Sequence, residues 1–304
     1  MILKKYEVIL TNLYVTLRVS WQLAIVMVFL LWTSRVEAGP LADRLAQFPS
    51  WQSKPPVKLA QGDLIYPDWL AGTWQVTSVL VSQVAPLEPE VVTPGFESNR
   101  RYLNQPVNFL VRFQQARDSV STFNKAISGQ FIPWVNQNST VCQGNFCQKV
   151  PTLTNIFNNS LPKGVVADRT FNGLNIARAY LGDDLIESVQ VDPNSPNRQL
   201  TSLRTGRKLI SVIVGRATET PNPREFIATE VSNQVFRGTV KPYLNQVETT
   251  TDYRLRTSPN LGIEADQVTA IYLSPQDPNY FKALDKPVAL YRYHLELVPT
   301  ELTN

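Results

Sequence analysis

The chemistry open to this chain is limited first by its imidazoles, because His294 is the only histidine among 304 residues. One Ser–His or Cys–His pairing is therefore the most it can assemble, and a multi-histidine metal site is excluded. His294 sits in Leu290-Tyr-Arg-Tyr-His294. Strand alternation puts it on the face shared with Arg292 and Glu296, opposite an apolar face of Tyr291, Tyr293, Leu295 and Leu297. That predicts a rim or exposed histidine, and haem ligation would need the opposite parity. No Gly-x-Ser-x-Gly turn presents a nucleophile, and no glycine-rich loop cradles a phosphate. The acids Asp183-Asp184, Glu187, Asp252 and Glu264-Ala-Asp266 lie at turns or strand ends. Glycoside hydrolysis would need two of them about 5–9 Å apart across a cleft, and their spacing gives no reason for that. The chain is read as non-enzymatic, with no catalytic residue, no metal ligand set and no cofactor.

The N-terminus bears on the remaining reactive pair. Lys4, Lys5 and Arg18 precede a ten-residue apolar run, Leu23–Trp32, followed by Val36-Glu37-Ala38. A bilayer-spanning helix needs about 20 residues, so residues 1–38 read as a signal peptide cleaved after Ala38. The alternative is an uncleaved anchor beginning near Val15 or Val19. Either way the body is expected outside the cytoplasm. In an oxidising compartment Cys142 and Cys147, separated by Gln-Gly-Asn-Phe, are expected to close a short loop as a disulfide. The formal charge of +4 falls to +2 once the leader's Lys4, Lys5, Arg18 and Arg35 against Glu7 and Glu37 are removed. The basic groups Arg100-Arg101, Arg204 with Arg207-Lys208, and Arg254 with Arg256 are short and read as solvated faces. Nucleic acid is not an expected partner.

These residues must be positioned by strands. Residues 39–68 form a Pro-rich lead-in, with one or two helical turns over Leu41–Phe48 before Pro49, Pro55, Pro56 and Pro67. Over 69–300 the dominant period is two, and about nine strands are expected: 73–83, 106–113, 165–170, 185–191, 208–217, 225–236, 242–256, 267–273 and 288–298. Asn172 can cap a helix over Gly173–Leu181 that stops at Gly182, and Asp277–Leu284 suits a shorter one. Residues 124–162 read as a long decorated loop. Short links between the last five strands imply an antiparallel meander, and meanders of eight or more strands tend to close. The expected fold is all-β, one up-and-down antiparallel barrel or a strongly curved barrel-like sheet.

Pro67-Asp-Trp69-Leu-Ala-Gly72-Thr-Trp74 opens the first long strand, and here the chain resembles the lipocalin and calycin group. That resemblance rests on Gly72 and Trp74. It implies a Trp closing one barrel end with an Arg of the last strand packed on it, and Arg292 is the matching position. Tyr66–Trp74, Ala85-Pro-Leu87 with Thr93–Phe96, Val191–Arg198, Glu248–Tyr253 and Glu264–Tyr272 are similar to blocks of an uncharacterised family exported in cyanobacteria and plastids. That likeness implies a thylakoid-lumen or periplasmic location. The leading expectation is a binder of a small apolar or amphipathic molecule (pigment, quinone or lipid). Trp74, Phe226, Tyr253, Tyr272, Tyr291 and Tyr293 are the expected aromatic lining, along with Phe236 and Tyr243. The alternative is a scaffold or assembly factor for a thylakoid or inner-membrane complex, docked through the lead-in and the cysteine loop, with a filled interior.

Overall fold

The computed structural model describes residues 39–116, 140–143, 146–149, 164–238, 241–257 and 262–300, with 140–143 and 146–149 described by backbone alone. The expected signal peptide and most of the 124–162 loop lie outside the described residues. No described helix is long and apolar enough to cross a membrane.

In chain order the elements are α1 (Pro40–Ala46), β1 (Lys58–Leu59), β2 (Gly72–Val84), β3 (Pro106–Gln115), β4 (Thr140–Gln143), β5 (Phe146–Lys149), β6 (Val165–Ala167), α2 (Arg169–Leu181), β7 (Ile186–Asp192), β8 (Ser195–Leu203), β9 (Lys208–Asn222), β10 (Glu225–Arg237), β11 (Tyr243–Leu255), β12 (Ile263–Leu273), α3 (Tyr280–Ala283) and β13 (Ala289–Pro299). Ten strands form one curled antiparallel sheet in the order β6-β3-β2-β13-β12-β11-β10-β9-β8-β7, with β1 added on β9. Strands β9 to β13 are the expected meander, and β7 and β8 extend it. Strand β13 lies between β12 and β2 and so joins the meander to β2, β3 and β6.

Of the two expected forms the structure has the strongly curved sheet and not the closed barrel: β6 and β7 are the two ends of the sheet and do not pair. Helix α2 connects these end strands and packs on β3 and β7. Its N-cap is Asp168 rather than the expected Asn172: the Asp168 carboxylate accepts from Phe171 N at 3.1 Å. Asn172 instead clips the helix to β3, giving its Nδ2 to Arg112 O (3.1 Å) and taking Arg112 N (2.6 Å).

The lead-in forms the second closure. Ala60 N donates to Val214 O on β9, and Tyr66 N donates to Val165 O on β6, at 3.1 and 2.8 Å. Residues 58–66 thus strap β9 to β6. Two glycines permit the close approach. A Cβ on Gly215 would fall 2.5 Å from Val57 Cγ2, and one on Gly164 would fall 2.5 Å from Ile65 Cγ2. Upstream, the lead-in covers the outer face of β11–β13. Trp51 packs with Val268, Ala270, Tyr272 and Leu290. Arg44 meets the Glu248 carboxylate there through Nε (2.7 Å) and Nη2 (2.8 Å). The sheet therefore buries side chains on both faces. Its inner face carries the larger core around Leu70, Trp74, Val76, Phe113, Phe226, Ile263 and Leu297.

Cys142 and Cys147 are opposed residues of the β4–β5 hairpin. Their side chains, and with them the expected disulfide, lie outside the described residues.

Candidate functional site

Alternation along β2, β3, β12 and β13 aims Val76, Ser78, Phe109, Val111, Gln267, Thr269, Tyr293 and Leu295 onto the inner face of the curled sheet. Helix α2 faces them with Ile176 and Tyr180, since residues four apart share one helical face. Between helix and sheet lies a cavity of about 300 Å³, completed by Tyr66 from the strap, Tyr253 from β11 and Phe113 from β3. Its walls are mainly apolar, and among the described residues none of the lining side chains is a carboxylate, amine, guanidinium or imidazole.

Four tyrosines supply polar groups, together with Ser78, Asn172, Gln267 and Thr269. Tyr66 packs edge-on to Phe113 (4.9 Å between centroids) and to Tyr253 (6.2 Å). The Tyr180 hydroxyl lies 3.5 Å from Ser78 Oγ, and Tyr102 Oη donates to Tyr180 O at 2.8 Å, which fixes the end of α2. Burial pushes the Tyr253 hydroxyl up to about 12 and raises those of Tyr66, Tyr180 and Tyr293. All four are therefore neutral phenols that can donate and accept. Thr251 Oγ1 donates to Gln267 Oε1 at 3.2 Å, which orients that amide.

An ion cluster on the inner face anchors the strap and the start of α2. Arg169 Nη2 and Arg216 Nε both donate to Glu230 Oε1, at 2.9 and 2.7 Å. Arg216 also gives Nη1 to Gly62 O and Nη2 to Asn197 Oδ1. Burial raises the Glu230 carboxyl, but the two guanidiniums outweigh it and hold the group below its usual range.

The expected lining residues divide. Tyr253 and Tyr293 line the cavity. Trp74 and Phe226 face inward but belong to the packed core, where Trp74 Nε1 donates to Leu70 O at 2.8 Å. Tyr291 packs with Leu80 and Phe96 in a separate inner cluster. Tyr272 is a correction: it lies on the outer face under the lead-in, where its hydroxyl donates to Glu248 Oε2 at 2.7 Å. The expected Arg292–Trp74 contact is also corrected. Register pairs Trp74 with Pro299 and Arg292 with Ser82, and the Arg292 guanidinium lies 5.6 Å from the Phe48 ring. Gly72 does open β2 with a positive φ of 125°, as a glycine can. His294 lies beside Asp266 on the outer face, Nδ1 to Oδ1 3.8 Å, with the parity expected. Asp252 and Asp266 are opposed across β11 and β12 but share Arg254 (2.8 and 2.6 Å). The cavity residues Tyr66 and Tyr180 were missed. Tyr66 sits among lead-in prolines, and Tyr180 signals only through its i, i+4 relation to Ile176.

A family model described as a domain of unknown function (DUF6816) matches residues 58–126 and 150–301. The match opens on the strap, takes in the whole curled sheet and α2, and omits α1 and both cysteines. No curated protein and no solved structure matches the chain.

Proposed function

The chain belongs to the DUF6816 family of domains of unknown function, and we propose that its barrel-like domain binds one small, uncharged, amphipathic molecule and performs no catalysis. The observation that carries this reading is the cavity between α2 and the sheet, apolar in its walls and furnished with four neutral phenols. Pockets that hold small molecules have this make-up: a mainly hydrophobic lining with a few placed polar groups. A volume of about 300 Å³ lies at the lower end of the range of small-molecule pockets, roughly 300–1,000 Å³. That suits a substituted ring or a short apolar chain, and it is too small for a macrocyclic pigment. A buried carboxylate or ammonium would find no opposite charge in the wall, and an unpaired buried charge is expensive. A quinone head, whose carbonyls accept from tyrosine hydroxyls, fits these demands better than a fatty acid. Export to a lumen or periplasm, which would bring the domain next to membrane-borne molecules, belongs to the same proposal. So does the lipocalin-like character, supported by Gly72 and Trp74 at the opening of the first long strand.

The scaffold reading has less support, because the lead-in that would dock a partner complex covers the protein's own sheet. The test is extraction of the natively purified protein into organic solvent, followed by mass spectrometry. One uncharged molecule of fitting size is expected at near-stoichiometric yield, and Leu295→Trp, which fills the cavity, should lose it while staying folded. Repeated absence of any such molecule, or equal retention by the filled variant, would overturn the proposal.

A further inference from the structure

In an antiparallel meander every second connection emerges at the same end, so the β8–β9, β10–β11 and β12–β13 tips all lie at one end of the sheet. Two of them touch: a Cβ on Gly238 would fall 2.8 Å from Arg207 Cα, and Lys208 is the register partner of Arg237. The third is close by, since Asp277 acts electrostatically on Tyr243 at the base of β11. Together these tips hold Arg204, Arg207, Lys208, Arg237, Lys241, Lys282 and Lys286, against Asp277 and Asp285 and, on the β2–β3 loop packed beside them through Leu87 and Val91, Glu88 and Glu90. Asp285 pairs with Lys54 at 3.2 Å. The first five of these basic residues are all exposed.

Apolar groups stand among the charges. Phe281 is 83 % exposed and Leu284 is 53 % exposed. Leu284 is also held at a φ of +50°, a conformation that a leucine adopts only at a cost. Phe236, tilted against Tyr243 with ring centroids 5.9 Å apart, is exposed too. Phe281 meets the edge of the Tyr280 ring at 5.6 Å and leaves most of its own surface in water beside Lys282.

We propose that this end of the sheet docks on an anionic lipid surface, with the Arg and Lys residues at the headgroups and Phe281 and Leu284 entering the interface. Basic clusters are drawn to anionic headgroups, and aromatic and aliphatic side chains settle at the apolar boundary. An acidic protein would satisfy the cations but not the exposed Phe281 and Leu284.

The experiment uses the full chain with phosphatidylcholine vesicles, with and without phosphatidylglycerol. Wild type is expected to bind the anionic vesicles more tightly and to release as salt rises. Arg207→Ala/Arg237→Ala, both at exposed positions, should weaken anionic-vesicle binding on the order of 25-fold, about fivefold per residue, with unchanged melting. A tryptophan introduced by Phe281→Trp should be quenched by brominated lipid beyond the wild-type signal. Equal binding by wild type and the double variant, or no added quenching at position 281, would overturn the proposal. Retention on immobilised polyglutamate without any vesicle binding would also overturn it, in favour of an acidic protein partner.

Discussion

Removing the Arg44 side chain tests how the lead-in is held. The Glu248 carboxylate has no solvent exposure, and Arg44 pairs with it through both Nε and Nη2. Tyr272 Oη and Thr250 Oγ1 complete its shell at 2.7 and 2.9 Å. Arg44 also stacks 3.8 Å over the Trp51 ring and gives Nη2 to Ser53 O. Arg44→Ala leaves a buried carboxylate with neutral partners only, and breaking a buried pair from one side costs about 3–5 kcal/mol. For a domain of this size that corresponds to a fall in melting temperature of roughly 10 °C. Urea unfolding of Arg44→Ala, Glu248→Gln and the double variant measures it. The double variant should be more stable than Arg44→Ala alone, because no charge is then stranded. Arg44→Ala losing less than about 1 kcal/mol, the worth of an exposed pair, would refute the reasoning.

Three further outcomes follow from the same structure. Burial raises the Asp252 carboxyl to about 6, with Arg254 opposing and Glu225 and Asp266 adding to the shift. The folded state thus keeps a proton that the unfolded chain releases. Stability should fall as pH rises from the ordinary aspartate range to about 6, and Asp252→Asn should abolish that fall and add about 1–2 kcal/mol at neutral pH. Gly215→Ala forces its new methyl against Val57 and should cost about 1–3 kcal/mol; denaturation of Gly215→Ala/Val57→Ala should recover much of it. Trp74→Phe removes the indole donor to Leu70 O and leaves a small void, so a loss of about 1–3 kcal/mol is expected in chemical denaturation.

The strands were legible where alternation met β-branched and aromatic residues, and the meander followed from short links. Strand β8 is not among the expected strands: it starts at Ser195 and carries Pro196 and Asn197, residues disfavoured in strands, near its beginning. The choice between a closed barrel and a curved sheet is not legible for a physical reason: the ends of the sheet are covered by α2 and the strap, and neither has strand periodicity. Tyr272 reads as inward from the sequence because alternation reveals two faces but not which of them is the inner face of the curled sheet. With Trp51 and Leu45 covering the outside, β12 buries residues of both parities. The cavity was half legible. Tyr253 and Tyr293 lie on regular strands, while Tyr66 and Tyr180 reach it through a strap and a helix whose docking is set by distant partners.

The position of β13 governs the order in which this protein can assemble. It is the last described strand in sequence, yet it fills the slot between β12 and β2, pairing Leu290 with Val84 and Pro299 with Trp74 across more than 200 intervening residues. Until Ala289–Pro299 leaves the ribosome, β2 and β12 each keep an open edge, with the two parts of the sheet linked only through α2 and the strap, and the cavity lacks the wall of Tyr293 and Leu295. Such late, long-range pairing makes folding slow and favours a chain that completes synthesis before it folds. An otherwise intact chain stopped before residue 289 should therefore accumulate as an aggregation-prone intermediate rather than as a smaller barrel.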